Sequence, residues 1–138
     1  MERSGHELLF VYGTLRRGFA AHALLRRLGA RLKGNGAVPG ILYDLGTYPG
    51  ARPAEGSGLI AGEVYAVPHA PASLAAIDRY EGYRGSQPQA GEFLRARVRV
   101  AMHDATAVEA WIYWLNRTGQ SKKRIPCGDY AALLTMGG

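Results

Sequence analysis

Residues 10–18 read FVYGTLRRG, so an apolar run ends directly in a glycine, a threonine and two adjacent arginines. The run, Leu8–Tyr12, is rich in residues that favour β-structure and predicts a buried first strand that ends at Gly13. After the loop, Ala20–Leu28 carries apolar residues at helical spacing, and Gly29 stands where a helix would end. The sequence therefore predicts a strand, a loop and a short helix.

The loop that begins at Gly13 is a candidate binding site. A loop between a strand and a helix exposes backbone N–H groups, and the amino end of a helix carries a partial positive charge. No Gly-Lys-Ser/Thr sequence follows, so this is not a nucleotide-binding P-loop, and a small anion such as an amino-acid carboxylate fits better. We expect Gly13 to let the backbone approach that ligand closely. A plain strand-to-helix turn is the alternative interpretation.

Beyond this first unit the chain reads as short strands and one further helix. Glycine and proline punctuate residues 30–65, which is typical of strands joined by turns, and Tyr48–Gly50 is placed in a connecting loop. The predicted elements, in chain order, are strands Ile41–Leu45 and Leu59–Val67, a helix Pro71–Glu81 that ends before Gly82, and strands Phe93–Met102 and Val108–Asn116, joined by a turn at His103–Thr106. They predict a single α+β domain over residues 1–138, with a mixed or antiparallel sheet of about six strands.

Composition restricts the classes of function. The formal net charge is +6 at pH 7, but the basic residues form separate pairs without interleaved aromatic residues, so a solvated surface is favoured over nucleic-acid binding. Cys127 is the only cysteine and the four histidines lack metal-ligand spacing, so neither a disulfide nor a metal site is predicted. The chain has no apolar run of about 18 residues and no secretory signal. We expect a cytoplasmic protein with no membrane partner.

Glu81 is the candidate for proton transfer. It lies four residues after Ile77 and seven after Leu74, so it shares the apolar face of its predicted helix. Burial would raise the pKa of this carboxyl towards neutrality, which suits a group that must both take and give a proton. A half-exposed glutamate at the end of a frayed helix is the alternative.

Several stretches, taken in order, resemble the γ-glutamylcyclotransferase-like family. The resembling segments are Phe10–Gly18, with the family's Tyr-Gly-[Ser/Thr]-Leu loop, Tyr48-Pro49, Gly62–Tyr65, Ile77–Gly82, Trp111–Tyr113 and Gly128–Tyr130. The resemblance covers the chain from about Leu8 to Tyr130. It implies a compact, barrel-like α+β fold with two or three short flanking helices.

The resemblance also implies a reaction that needs no cofactor. The free α-amine of a γ-glutamyl group attacks its own γ-carbonyl, which releases the attached amine and forms 5-oxoproline. Backbone amides of Tyr12, Gly13, Thr14 and Leu15 would bind the γ-glutamyl group, and Glu81 would be the catalytic acid and base. The partner it implies is a small molecule with a γ-glutamyl group, such as a γ-glutamyl amino acid, a γ-glutamyl amine or glutathione.

The start of the strand after the glutamate helix departs from the family pattern. Family members often have Tyr-x-Arg there, whereas this chain has Phe93-Leu94-Arg95. Arg95 and Tyr48 are predicted to contact substrate, and Tyr83 is the candidate to replace the missing hydroxyl. Three hypotheses follow: a γ-glutamyl cyclotransferase, a catalytically silent small-molecule-binding member of the same fold, and a basic nucleic-acid-binding domain.

The charge interpretation can be tested with a fluorescently labelled oligonucleotide, single- or double-stranded. Because the basic pairs fall on different predicted elements, we expect binding no tighter than roughly 10⁻⁶ M at physiological salt, the range of non-specific contacts. Submicromolar binding at that salt, measured by fluorescence anisotropy, would favour the nucleic-acid hypothesis instead.

Overall fold

The computed structural model describes residues 7–56, 58–83, 85, 91–116 and 123–132. Within these ranges residues 130–132 are helical, and the remaining elements, in chain order, are β1 (Glu7–Val11), α1 (His22–Arg27), β2 (Arg31–Pro39), β3 (Ile41–Asp44), β4 (Pro49–Arg52), β5 (Leu59–Val67), α2 (Ala72–Glu81), β6 (Phe93–Met102), β7 (Ala107–Leu115) and β8 (Lys123–Arg124). Among the described residues, no helix has both the length and the apolar character needed to cross a membrane.

Five strands close into a barrel in the order β1-β5-β2-β6-β7. Neighbouring strands are antiparallel except at the closure, where β1 and β7 run parallel and Leu9 pairs with Trp111. The other three strands form a small sheet in the order β4-β3-β8. The structure thus confirms the α+β, barrel-like architecture that the sequence predicted.

Three strands of the structure were not predicted. The expected count of about six was too low because β2 lies in the glycine-rich stretch that reads as turns, Pro49–Arg52 pairs with β3 rather than staying a loop, and β8 has only two residues. By contrast, β5 and β6 have the predicted bounds. Regular alternation predicted β5 and β6, whereas glycine interrupts the alternation in β2 and β4, and β8 is too short to show any.

A pair of glycines explains why β2 can be a barrel strand. Gly36 faces Gly62 across the β2–β5 ladder. A Cβ on Gly62 would lie 2.4 Å from the carbonyl oxygen of Val11 and 2.6 Å from the ring of Phe10, and one on Gly36 would lie 2.6 Å from Val100. These approaches leave no room for a side chain, so the glycines allow the Phe10 ring to fill the barrel interior.

Helix α2 packs outside the barrel through its apolar face. Leu74 and Ile77 are buried in a cluster with residues of β1 and β7. The helix ends at Gly82, whose φ of 75° is left-handed, and the N–H of Tyr83 closes the turn on the carbonyl of Asp78 at 2.9 Å. This packing and this ending fix where the last helical residue, Glu81, is placed.

Gly62→Ala tests the close approach inside the barrel. The added Cβ would meet backbone oxygen that has no room to shift, so we expect the free energy of unfolding to fall by about 1–3 kcal/mol in urea denaturation. Gly85→Ala is the matched control, since its Cβ would make only an ordinary contact, 3.8 Å from the ring of Tyr83. Equal stabilities of the two variants would contradict this account of the barrel.

Candidate active site

A cavity of about 260 Å³ lies beside the barrel. Its walls come from β1 and the loop that follows it, from the start of β4, from the last turn of α2 and from the strands β6 and β7. The lining comprises residues 10–15, Tyr48, Pro49, Tyr80, Glu81, Glu92, Phe93 and Tyr113. The cavity therefore brings together Glu81, Tyr48 and the Tyr12–Leu15 loop, which are far apart in the sequence.

Two predicted substrate contacts lie elsewhere. Neither Arg95 nor Tyr83 lines the cavity. The Arg95 guanidinium binds both carboxylate oxygens of Asp78, at 2.8 and 3.3 Å, and lies 4.5 Å from the centre of the Trp111 ring and 5.6 Å from that of Tyr83. The structure thus places both residues in a cluster that braces α2 against β6, outside the cavity.

The loop after β1 is anchored from behind by Glu63, a residue that the sequence analysis did not select. Glu63 is 5% exposed. Its Oε1 accepts hydrogen bonds from the N–H of Arg17 at 3.0 Å and from the hydroxyl of Tyr65 at 2.9 Å. Arg16 lies 3.8 Å from the other oxygen and donates to Asp129 at 2.8 Å. A charged residue inside the apolar strand β5 was the available sequence signal.

The ion pair with Arg16 stabilises the charged form of Asp129. Burial acts to raise the pKa of its carboxyl, but the hydrogen bond from Arg16 and those from the backbone N–H groups of Ala131 and Ala132 outweigh burial and hold that pKa below its ordinary value. The ion pair joins the loop after β1 to the helical segment at residues 130–132. Glu63 of strand β5 and Asp129 near residues 130–132 therefore support the same loop.

Some backbone N–H groups of the loop form hydrogen bonds within the fold, and others have no partner among the described residues. The N–H of Arg16 binds the carbonyl of Gly13 at 3.0 Å, whereas the N–H groups of Thr14 and Leu15 have no partner among the described residues. The predicted contribution of a helix end was wrong: α1 begins only at His22, seven residues after Leu15, and does not line the cavity. Any anion bound here would be held by the loop itself.

Gly13 lines the cavity, and it also packs closely against a neighbouring strand. Its φ is outside the left-handed region, and a Cβ there would lie 2.8 Å from Cγ and 3.0 Å from Cδ of Pro49. The glycine therefore lets the loop pack against the first residue of β4. The hydroxyl of Tyr12 also forms hydrogen bonds within the fold. It donates to the carbonyl of Tyr113 at 2.6 Å and accepts from the N–H of Ala51 at 3.2 Å.

Glu81 lines the cavity at the end of α2, next to Tyr80, whose hydroxyl lies 2.8 Å from that of Thr14 on the opposite loop. No described residue forms an ion pair or a side-chain hydrogen bond with its carboxyl. Burial, and then the negative charges of Glu92 and Asp78, raise the pKa of Glu81 from an ordinary 4.5 to about 8. The carboxyl can therefore hold or release a proton near neutral pH.

Glu92 is a second cavity carboxyl that sequence reasoning missed, because it falls in an irregular segment before β6. Its position is well defined: its N–H binds the carbonyl of Gly82 at 3.1 Å, its carbonyl accepts from the N–H of Asn116 at 2.8 Å, and its Oε2 accepts a short hydrogen bond from the hydroxyl of Tyr48. Beside it, Phe93 is buried with its ring centre 6.3 Å from that of Tyr48.

The cavity offers carboxyl groups, hydroxyl groups and backbone N–H groups. Within the described ranges, no group of three or more His, Cys, Asp or Glu residues is arranged to hold a metal ion. The arrangement is suited to moving a proton between groups of a small ligand that carries an anion and an amine.

Comparisons with known proteins identify the family of this chain. The sequence profile of the family described as gamma-glutamyl cyclotransferase, AIG2-like, matches residues 9–132. The gamma-glutamylcyclotransferase family protein YtfP of Escherichia coli K12 is 32% identical over 123 residues, which cover 88% of this chain and 94% of that protein.

Solved structures share the fold. The crystal structure of YkqA from Bacillus subtilis matches with a TM-score of 0.74 and 25% identity, over 96% of this chain but only 42% of that longer one. An AIG2-like protein from Mus musculus matches with a TM-score of 0.68 and 21% identity, over 83% of this chain and 80% of that chain. The mouse structure is evidence for the fold alone.

The raised pKa of Glu81 predicts how stability depends on pH. Between pH 4.5 and about 8 the native protein holds a proton that the unfolded chain has released, so this residue lowers the free energy of unfolding as pH rises through that interval. Glu81→Gln removes the effect, and we expect the variant to gain stability relative to wild type from pH 5 to pH 8.

Urea denaturation at pH 5, 6.5 and 8 measures the difference. Glu55→Gln, at an exposed position, is the control and should differ from wild type by the same small amount at every pH. A constant difference between Glu81→Gln and wild type would show that the pKa of Glu81 is not raised.

Proposed function

The chain belongs to the gamma-glutamyl cyclotransferase, AIG2-like family, and on that basis we propose that it converts a γ-glutamyl amine or γ-glutamyl amino acid into 5-oxoproline and the free amine. The observation that carries the proposal is Glu81, a carboxyl with its pKa raised to about 8, on the wall of a cavity whose lining residues Thr14 and Leu15 have backbone N–H groups with no partner among the described residues.

The substrate contains its own nucleophile. The α-nitrogen bonds to the γ-carbon, the bond from that carbon to the amide nitrogen breaks, and a five-membered lactam results. Such a ring closure is intramolecular, so holding the chain of the γ-glutamyl group in a folded conformation supplies much of the acceleration. A cavity of about 260 Å³ is small enough to favour compact conformations of the ligand.

Proton transfer is the task for Glu81. The α-nitrogen starts as an ammonium group and ends as the ring N–H, so it loses two protons, while the departing nitrogen gains two and leaves as an ammonium ion. Ionised Glu81 takes the first proton from the α-nitrogen before attack, and its protonated form donates that proton to the departing nitrogen as the bond to the γ-carbon breaks. Glu81 is then ionised again, takes the second proton from the new ring nitrogen and passes it to the released amine, which leaves as an ammonium ion. A pKa near 8 makes both forms available at neutral pH.

The loop after β1 supplies the anion contacts. The N–H groups of Thr14 and Leu15 are free to donate to the α-carboxylate of the γ-glutamyl group, and Glu63 holds the loop in place from behind. Because no described cavity residue is cationic, the carboxylate depends on these backbone donors.

A substrate panel tests the proposal directly. Wild-type protein is incubated with γ-glutamyl amino acids, γ-glutamyl amines and glutathione, and mass spectrometry is used to look for 5-oxoproline. Production from at least one compound separates an enzyme from a catalytically silent binding protein of the same fold. If no compound of the panel yields 5-oxoproline, the protein lacks the proposed activity.

Glu81→Gln keeps the shape of the side chain and removes proton exchange. We expect kcat to fall by roughly 10²–10⁴-fold, the usual contribution of a general acid or base, while substrate binding changes little. In wild type, kcat/KM should rise about tenfold per pH unit towards pH 8, because that ratio reports ionisation in the free enzyme.

Glu55→Gln is the matched control and should retain wild-type kcat and the same pH profile. Melting temperatures of all three proteins establish that they are folded. If Glu81→Gln keeps more than about a tenth of wild-type activity, a loss too small for a general acid or base, another group transfers the proton.

A further inference from the structure

The described lining of the cavity has acidic residues and no basic residue. Among the lining residues that the structure describes, Glu81 and Glu92 are acidic and none is Lys, Arg or His. The γ-glutamyl ligand of the proposed function carries both a carboxylate and an ammonium group. The carboxylate has the loop N–H groups, whereas the ammonium group requires an anionic or strongly polar acceptor.

Glu92 has the geometry of such an acceptor. Its backbone is held on both sides, by the carbonyl of Gly82 and the N–H of Asn116. The hydroxyl of Tyr48 binds Oε2, and no described residue donates to Oε1. The carboxylate is therefore oriented by the fold while one of its oxygens is left for a ligand.

We propose that Glu92 binds the α-ammonium group of the γ-glutamyl substrate and thereby restricts the site to ligands that carry a free α-amine. The assignment rests on the proposed function. It makes Glu92, with Tyr48 as its positioning residue, a determinant of specificity separate from the proton carrier Glu81.

The two carboxyls are adjacent through a single turn. Glu81 is the last residue of α2, and the next residue, Gly82, accepts the N–H of Glu92 at 3.1 Å. The charge of Glu92 is, after burial, one of the causes of the raised pKa of Glu81. An ammonium group bound by Glu92 offsets that charge and favours ionised Glu81. Substrate binding thus helps to prepare the base.

Binding is measured without turnover in the Glu81→Gln background. The probes are the γ-ethylamide of L-glutamate and glutaric acid monoethylamide, which has the same skeleton but no α-amine. Isothermal titration calorimetry should show that Glu81→Gln prefers the amine-bearing probe by about 10- to 100-fold, the range of a charge-assisted hydrogen bond. Adding Glu92→Gln should remove most of that preference and leave the affinity for the amine-free probe nearly unchanged.

Three further variants in the same background sharpen the test. Glu92→Asp keeps the charge and should retain part of the preference. Tyr48→Phe keeps the ring beside Phe93 but releases Oε2, so a loss of a few-fold, smaller than that of Glu92→Gln, is expected. Glu55→Gln is the control and should keep the full preference. Circular dichroism and melting temperature check that each variant is folded.

Several results would overturn the assignment. They are equal affinity of Glu81→Gln for both probes, equal weakening of both probes by Glu92→Gln, and no detectable binding of the amine-bearing probe at millimolar concentration. Each leaves the cyclotransferase proposal standing if wild type produces 5-oxoproline, so the two failures are distinguishable.

Discussion

The buried carboxylate of Glu63 is the constraint on which the cavity depends. A carboxylate taken out of water is costly unless it is hydrogen-bonded or paired. Here it accepts the N–H of Arg17 and the hydroxyl of Tyr65, and it lies near the guanidinium of Arg16. If the loop after β1 shifted, Glu63 would lose the N–H donor, so the loop is tied to strand β5. The backbone of the cavity-lining residues Thr14 and Leu15 is thereby fixed.

A second constraint comes from the end of α2. Leu74 and Ile77 bury the apolar face of the helix, and the helical spacing brings Glu81 to the same side. The left-handed turn at Gly82 stops the helix at that residue, and the carbonyl of Gly82 holds the backbone of Glu92. One turn thus ends the helix and sets two carboxyls beside each other. Their mutual repulsion, added to burial, gives Glu81 its raised pKa.

Elements that follow from local sequence patterns could be predicted, whereas features that depend on contacts between distant residues could not. Alternation in Leu59–Val67 and Phe93–Met102, and helical spacing before Gly82, are local, and the structure has these elements at or within one residue of the predicted bounds. Strand β2 was missed because its Gly36 is explained by residues on other strands, Gly62 opposite it and Val100 beside it. Likewise, nothing near Arg95 in the sequence shows that Asp78 takes up its guanidinium. Glu92 was missed because its partners, Tyr48, Asn116 and Gly82, come from three distant places, just before β4, just after β7 and just after α2.

Phe93 connects the departure from the family pattern to the chemistry of the cavity. The ring is 5% exposed and packs beside Tyr48, so this wall of the cavity is apolar where a tyrosine would present a hydroxyl. An apolar wall increases the desolvation that is the largest cause of the raised pKa of Glu81. The polar group at this end of β6 is instead the carboxylate of the preceding residue, Glu92, which accepts a hydrogen bond from the hydroxyl of Tyr48. The chain therefore combines a drier environment with a separate charged group at this end of the cavity, and the two effects reinforce each other because burial and the charge of Glu92 both raise the pKa of Glu81.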